Sequence, residues 1–257
     1  MVIYQDFPYW PDGNKNRRLH IWLPDDYDES DERYPVMYMF DGHNLFYDEM
    51  ATYGKCWGLA EFMEQWDRKL IIVGMECSHE GHNRLNEYCP YTGRDHRIRF
   101  TGKGVQTFQW IINDVKPFID ENFRTLPDRS NTAVAGSSMG GIMSVYGVIH
   151  HNEVFSRGIC VSAMMQRNLA DYRKTLSEAE IGADTRIYIS WGEKEVAPAP
   201  AGKDNATESS EAIAAYRLES ELKQRGASTL IYCQPEGEHC ERDWEKQNPL
   251  FMDFIWK

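Results

Sequence analysis

The segment Gly136-Ser137-Ser138-Met139-Gly140 has the form G-x-S-x-G and sets a hydroxyl between glycines. It follows a short apolar run, 132–135 (TAVA), and precedes an apolar stretch that opens on glycines, GGIMSVYGVIH. A strand that turns sharply into a helix strains its corner residue, and flanking glycines let the two backbones approach closely. This is the setting of a nucleophilic serine, and the central position belongs to Ser138. A serine hydroxyl attacks poorly until a neighbouring base accepts its proton. In hydrolases built on such an elbow, an acid and then a histidine follow the serine along the chain.

Three histidines lie downstream of the elbow: His150, His151 and His239. The first two fall at the end of the helical stretch that starts at Ser138, about two to three turns away, and cannot easily fold back. His239 lies in a Gly-bearing turn, Pro235-Glu236-Gly237-Glu238-His239, directly after the last apolar run, where a loop can carry an imidazole over a sheet edge. The acid is expected in Trp191-Gly192-Glu193-Lys194-Glu195, since a carboxylate on the far ring nitrogen fixes the imidazole tautomer. Glu195, three residues past Gly192, is the preferred candidate; Glu193 stays open as the alternative. An oxyanion needs two backbone N–H donors. The Met139 amide, at the start of its helix, supplies one, and the loop Asp41-Gly42-His43-Asn44 is expected to supply the other from the His43 amide. The His43 imidazole itself is expected to pack or to be solvated.

These residues need a scaffold. Residues 18–23 (RLHIWL) alternate with period 2 and read as an edge strand, whereas 35–40, 70–75, 132–135, 158–163, 186–190 and 229–233 are short buried-strand runs. Val105, Phe108, Ile112, Val115 and Ile119 mark one helical stripe that Pro117 should kink or restart. Residues 207–225 read as a second helix closed by Gly226. Buried strands alternating with helices predict an α/β fold with a mainly parallel central sheet and helices on both faces. Residues 76–104 and 194–209 break the alternation and read as substrate-side loops beyond strand ends.

The 257 residues suit a single domain over 1–257, and a 42% apolar share with 13% aromatics is far from that of a disordered chain. A formal charge of −12 repels phosphate backbones and anionic lipid, so neither nucleic acid nor a membrane is expected as a partner. Without a basic leader or a long apolar run, the expected location is cytoplasmic and the six cysteines are expected to be free thiols. Whether copies form a homo-oligomer stays open.

His79, His82 and His96 share a segment with Glu76, Glu80 and Asp95, but the segment has no H-E-x-x-H or C-x-x-C spacing, and no metal or cofactor is expected. Arg84 and Glu87 are read as a structural pair. Trp57, Trp66, Trp110 and Trp191 are read chiefly as core, with Trp191 the first candidate to line an acyl pocket. Arg94, Arg97 and Arg99 are the side chains that could draw an anionic substrate to an acidic protein.

The chain resembles the putative-esterase (esterase D-like) family of α/β-hydrolases, which includes enterobactin esterases, feruloyl esterases and S-formylglutathione hydrolases. The resemblance rests on 18–24 (RLHIWLP), 34–46 (YPVMYMFDGHNLF), 84–90 (RLNEYCP), 116–120 (KPFID), 135–141 (AGSSMGG) and 237–241 (GEHCE) followed by Trp244. It implies an α/β-hydrolase fold, Ser138 as nucleophile and His239 as base, and it favours Glu195 as acid, although relatives vary there. The expected activity is hydrolysis of a small, carbohydrate or phenolic ester through an acyl-enzyme, without a cofactor. Acyl transfer to an alcohol and a non-catalytic ligand-binding protein are the alternatives.

Overall fold

The chain begins with a strand that its composition hides. Val2–Tyr9 (β1) carries Gln5, Asp6 and Pro8 and is largely exposed, yet it pairs antiparallel along its length with Lys15–Trp22 (β2). Pro8 is tolerated because β1 is an edge strand, paired on one side within its unit. The period-2 segment 18–23 is therefore not an edge: β2 also pairs antiparallel with Ile71–Met75 (β4), which runs parallel to Val36–Phe40 (β3). The computed structural model describes residues 1–257 apart from Asn14, His96 and Arg97, and of Arg94, Asp95, Ile98 and Phe100 it describes the backbone alone. The metal reading of His96 and the substrate-charge reading of Arg97 and of the Arg94 side chain thus lie outside the described residues.

Packing divides the chain into two units, Met1–Thr132 and Ala133–Lys257. The first contains the strand order β1-β2-β4-β3. It also holds the helices Leu59–Gln65 (α1) and Asn83–Glu87 (α2), and an antiparallel ribbon of Thr92–Asp95 (β5) and Ile98–Thr101 (β6). Segment 76–104 is therefore only partly loop. The apolar stripe ending at Ile119 is an interrupted helix: Gly104–Trp110 (α3), a π-turn at Ile111–Val115, and Lys116–Asn122 (α4). Pro117 sits in the first turn of α4, where a missing N–H costs little.

The second unit carries four parallel strands in chain order: Thr132–Ser137 (β7), Arg157–Val161 (β8), Arg186–Gly192 (β9) and Ser228–Gln234 (β10). Parallel neighbours require crossovers. These are Met139–His150 (α5), Met165–Glu178 (α6), and Asn205–Glu208 (α7) with Ser210–Gln224 (α8); Glu241–Trp244 (α9) and Asn248–Trp256 (α10) complete the unit. α8 starts where the Ser209 hydroxyl accepts the Ala212 N–H, and it is followed by Gly226 at φ +93°. α5 is apolar almost all round and packs on β8, with Val148 against the bare Cα of Gly158. Because the four strands point the same way, their carboxyl ends share one edge.

In the first unit Glu87 does not pair with Arg84. Its carboxylate meets the buried Arg17 guanidinium on one oxygen and the Ser78 N–H at 2.9 Å on the other. Glu87→Ala would leave the Arg17 charge buried with a weaker set of partners, the Asp12 carboxylate at 3.4 Å, the Asn16 carbonyl at 3.1 Å and the Tyr9 ring. We expect a loss of about 3–5 kcal/mol in urea unfolding, with Glu87→Gln losing less because the amide oxygen can still accept from Ser78.

Candidate active site

Ser138 sits between the end of β7 and the start of α5 with φ 54° and ψ −120°. L-residues seldom adopt this conformation, and it persists only where the surroundings enforce it. A methyl on Gly136 would stand 2.7 Å from the Gly140 carbonyl carbon, so the elbow closes only around a glycine. The Ser138 N–H donates to the Val161 carbonyl at 2.8 Å, tying the corner to the end of β8. Met139 opens α5, and its amide belongs to the first turn, whose N–H groups find no acceptor within the helix.

The next two strands end in matching fashion. Ser162 follows β8 at φ +53° and donates its N–H to the Ser190 carbonyl at 2.8 Å. β9 and β10 finish level, with Gly192 opposite Gln234. Beyond them the two loops are laced together: Glu193 N–H donates to Gln234 O at 3.0 Å, Lys194 N–H to Gly237 O at 3.0 Å, and Glu236 N–H to the Glu193 carboxylate at 3.1 Å. Lys194 and Glu236 add an ion pair at 2.7 Å. Gly192 lies so close to Gly237 that a Cβ on it would fall 2.4 Å from the Gly237 carbonyl oxygen.

That lacing brings Glu195 and His239 together. His239 Nδ1 lies 2.9 Å from Glu195 Oε2. The other carboxylate oxygen, Oε1, accepts the Ser162 hydroxyl at 2.7 Å and the Gly192 N–H at 3.1 Å. The acid side chain is 7% exposed and the imidazole 44%, so a buried carboxylate anchors a ring that reaches solvent. Glu193, the alternative acid, is engaged instead by the Glu236 backbone. Behind the ring, Trp244 presents its face edge-on at 5.0 Å and donates Nε1–H to the Ser162 hydroxyl at 2.9 Å. The turn before His239 is held by Asp243, whose carboxylate accepts the Glu238 N–H at 2.8 Å. Burial would raise the Asp243 pKa, but Lys246 and that amide bring it below the ordinary value.

Ser162, which no motif marks, and Trp244, which carries the family resemblance without an assigned role, both support the Glu195–His239 pair. A serine just past an apolar strand carries no motif, and only its position at the shared sheet edge gives it a role. Trp191 is buried and stacks edge-on with Tyr216 at 6.5 Å, so it packs as a core side chain.

His43 belongs to the first unit, in a 3-10 turn at Gly42–Asn44 after β3. The turn starts at Asp41 with φ 59°, and both Asp41 carboxylate oxygens accept from Arg84 at 2.7 Å. Burial alone would raise the Asp41 carboxyl, but the guanidinium holds it below the usual range. Gly42 is packed on β4, where a Cβ would come 2.5 Å from the Gly74 carbonyl carbon. The His43 imidazole is buried, with Nε2 2.9 Å from the Thr52 hydroxyl, and burial pushes its pKa down to about 4.

A family model described as putative esterase matches residues 12–251. The chain belongs to that family. It is 26% identical over 183 residues to the uncharacterized protein YbbA of Bacillus subtilis, covering 70% of this chain and 69% of that protein. It is 32% identical over 126 residues to the esterase Rv1288 of Mycobacterium tuberculosis, covering 49% of this chain and 24% of that protein. An IroE-like serine hydrolase from Shewanella oneidensis superposes with a TM-score of 0.73 at 19% identity, over 99% of this chain and 79% of that one. The esterase thus has the α/β-hydrolase fold with a mainly parallel sheet, and its activity is that of a carboxylic ester hydrolase. Among the described residues, no helix is long and apolar enough to cross a membrane.

Gly192→Ala should force the two laced loops of this esterase apart. We expect the hydrogen-bonded Nδ1–H resonance of His239 to vanish from proton NMR spectra and stability to fall by about 1–3 kcal/mol. A retained resonance would mean that the contact with Gly237 does not set the pair.

Proposed function

We propose that this esterase cleaves esters through an acyl-enzyme formed on Ser138, with His239 as base and Glu195 as the acid that orients it. The observation that carries the reading is the 2.9 Å contact between Glu195 Oε2 and His239 Nδ1. An acceptor on Nδ1 keeps the proton there, leaves Nε2 as the lone-pair nitrogen, and stabilises the imidazolium that forms when Nε2 takes the serine proton. The Ser138 oxygen adds to the ester carbonyl, and the proton is returned from Nε2 to the departing alkoxide as the C–O bond breaks. Water then repeats the sequence, adding to the acyl carbon while giving its proton to His239, and Ser138 leaves protonated.

The oxyanion is assigned to the Met139 amide, favoured by the positive end of α5, and to the His43 amide, which rests on the sequence reading. The substrate class is a small, carbohydrate or phenolic ester; structural relatives named as ferulic acid esterase and as enterobactin hydrolase have the same fold. A cytoplasmic location is part of this proposal.

Ser138→Ala should lower kcat by on the order of 10⁴ on p-nitrophenyl, feruloyl and acetylated-sugar esters, and it should abolish the mass increment left by an organophosphonate. Turnover retained in the variant would remove Ser138 from the mechanism. Glu195→Gln should cost far more than Glu193→Gln, and equal small losses from both would reduce the triad to a dyad.

A further inference from the structure

His43, Cys77 and His79 offer ligating atoms that all lie within 4.8 Å of one another. One comes from the turn after β3 and two from the segment after β4, so no sequence motif announces the group. Its donors are two imidazoles and a thiol, a combination suited to zinc-like ions and not to magnesium or calcium.

The His43 ring is prepared to bind. Its Nε2 is engaged by the Thr52 hydroxyl, whereas Nδ1 is buried and has no hydrogen-bond partner. A buried polar atom left without a partner costs free energy, and such groups call for an explanation. If Nε2–H donates to Thr52, then Nδ1 carries the lone pair, and the hydroxyl acts as the outer hydrogen bond that orients a metal-ligating imidazole.

An acidic side chain stands beside one of the three, His79. Glu76 Oε2 is 3.8 Å from His79 Nε2, and bonds of about 2.0–2.3 Å set tetrahedral ligands roughly 3.3–3.8 Å apart. The other oxygen, Oε1, lies 2.7 Å from Nε2 of the buried His20, which fixes the carboxylate from behind. Cys77 is buried while the His79 side chain is 58% exposed, so the group has a closed inner side and an entry from solvent.

We propose that His43, Cys77 and His79 bind one zinc-like divalent ion. On binding, the Cys77 S–H bond breaks, a sulfur–metal bond forms and the proton leaves to solvent, with no change of oxidation state. The thiolate offsets part of the charge of the ion, and the Glu76 carboxylate beside His79 lies near enough to offset more of it. Since the His43 side chain would become a ligand, the ion would also stiffen the turn whose amide is assigned to the oxyanion.

The test is titration of the intact chain, stripped of metal with a chelator, by cobalt(II) and then zinc. Cobalt should produce a thiolate-to-metal charge-transfer band in the near ultraviolet that saturates at one equivalent and is bleached by zinc. Cys77→Ser should abolish the band, and His79→Ala, altering an exposed side chain that should not affect folding, should weaken zinc binding at least about tenfold against a chromophoric chelator. Cys240→Ser should leave the band intact. No band, a band that survives Cys77→Ser, or unchanged zinc affinity in His79→Ala would overturn the proposal. None of these readouts involves ester turnover, so they stand apart from the fate of the Ser138 mechanism.

Discussion

The contact of Gly192 with the Gly237 carbonyl is the constraint on which the pairing of Glu195 with His239 depends. β9 and β10 run parallel and finish level, so the loops leaving them start side by side. Only a residue without Cβ lets those loops touch, and the touch brings the Lys194 and Glu193 amides onto carbonyls of the opposing loop. From that anchor Glu195 is three residues away on one side and His239 two residues away on the other. The imidazole then needs little further guidance: Asp243 holds the turn before it and Trp244 supports its face.

The same edge concentrates backbone strain. Ser138, Ser162 and Met164 all have positive φ without being glycine, at about 1–3 kcal/mol each. Their conformations are held by ties made in strand order. Ser138 N–H reaches the end of β8, Ser162 N–H reaches β9, and the residues after Met164 are capped by the buried Glu211, whose carboxylate accepts from the Met165 and Gln166 amides. Burial raises the Glu211 pKa, although both amides work against it. Strain at the corners and stiffness from the sheet are thus two sides of one arrangement: the parallel strands absorb what the exposed side chains need.

Much of this was legible in the residues. The G-x-S-x-G string between an apolar run and a glycine-led helix located the elbow, and the order of residues along the chain pointed to His239 and to the loop that holds both Glu193 and Glu195, with Glu195 preferred. β1 is hard to read from the residues, because Gln5, Asp6 and Pro8 interrupt its apolar side chains and spoil both a continuous run and a period of two; without it, β2 reads as an edge. Ser162 was hidden for a different reason: its role comes from a neighbouring strand, and periodicity within one segment says nothing about that. The pairing of Arg84 with Glu87 failed similarly. Three residues apart on one short helix, they suggest a local pair, yet each finds a buried partner from another element, Asp41 for Arg84 and Arg17 for Glu87.

Glu193 and Glu195 illustrate how nearly identical sequence positions separate in structure. Both carboxylates follow Gly192, and both have an acidic side chain long enough to reach a histidine. Glu193 leaves β9 directly against the strand beside it, where its backbone is used by Gln234 and its carboxylate by the Glu236 amide. Glu195 comes after a turn closed by its own N–H on the Gly192 carbonyl at 3.1 Å, and that turn sends its side chain back inward. There it meets a hydroxyl, an amide and an imidazole, which together use both carboxylate oxygens. A carboxylate satisfied on every side cannot swing away from the ring without abandoning bonds that solvent would not replace, whereas a carboxylate at the rim can. The difference lies in one turn of backbone, and it makes one acid a lace between loops and the other a fixed partner for His239.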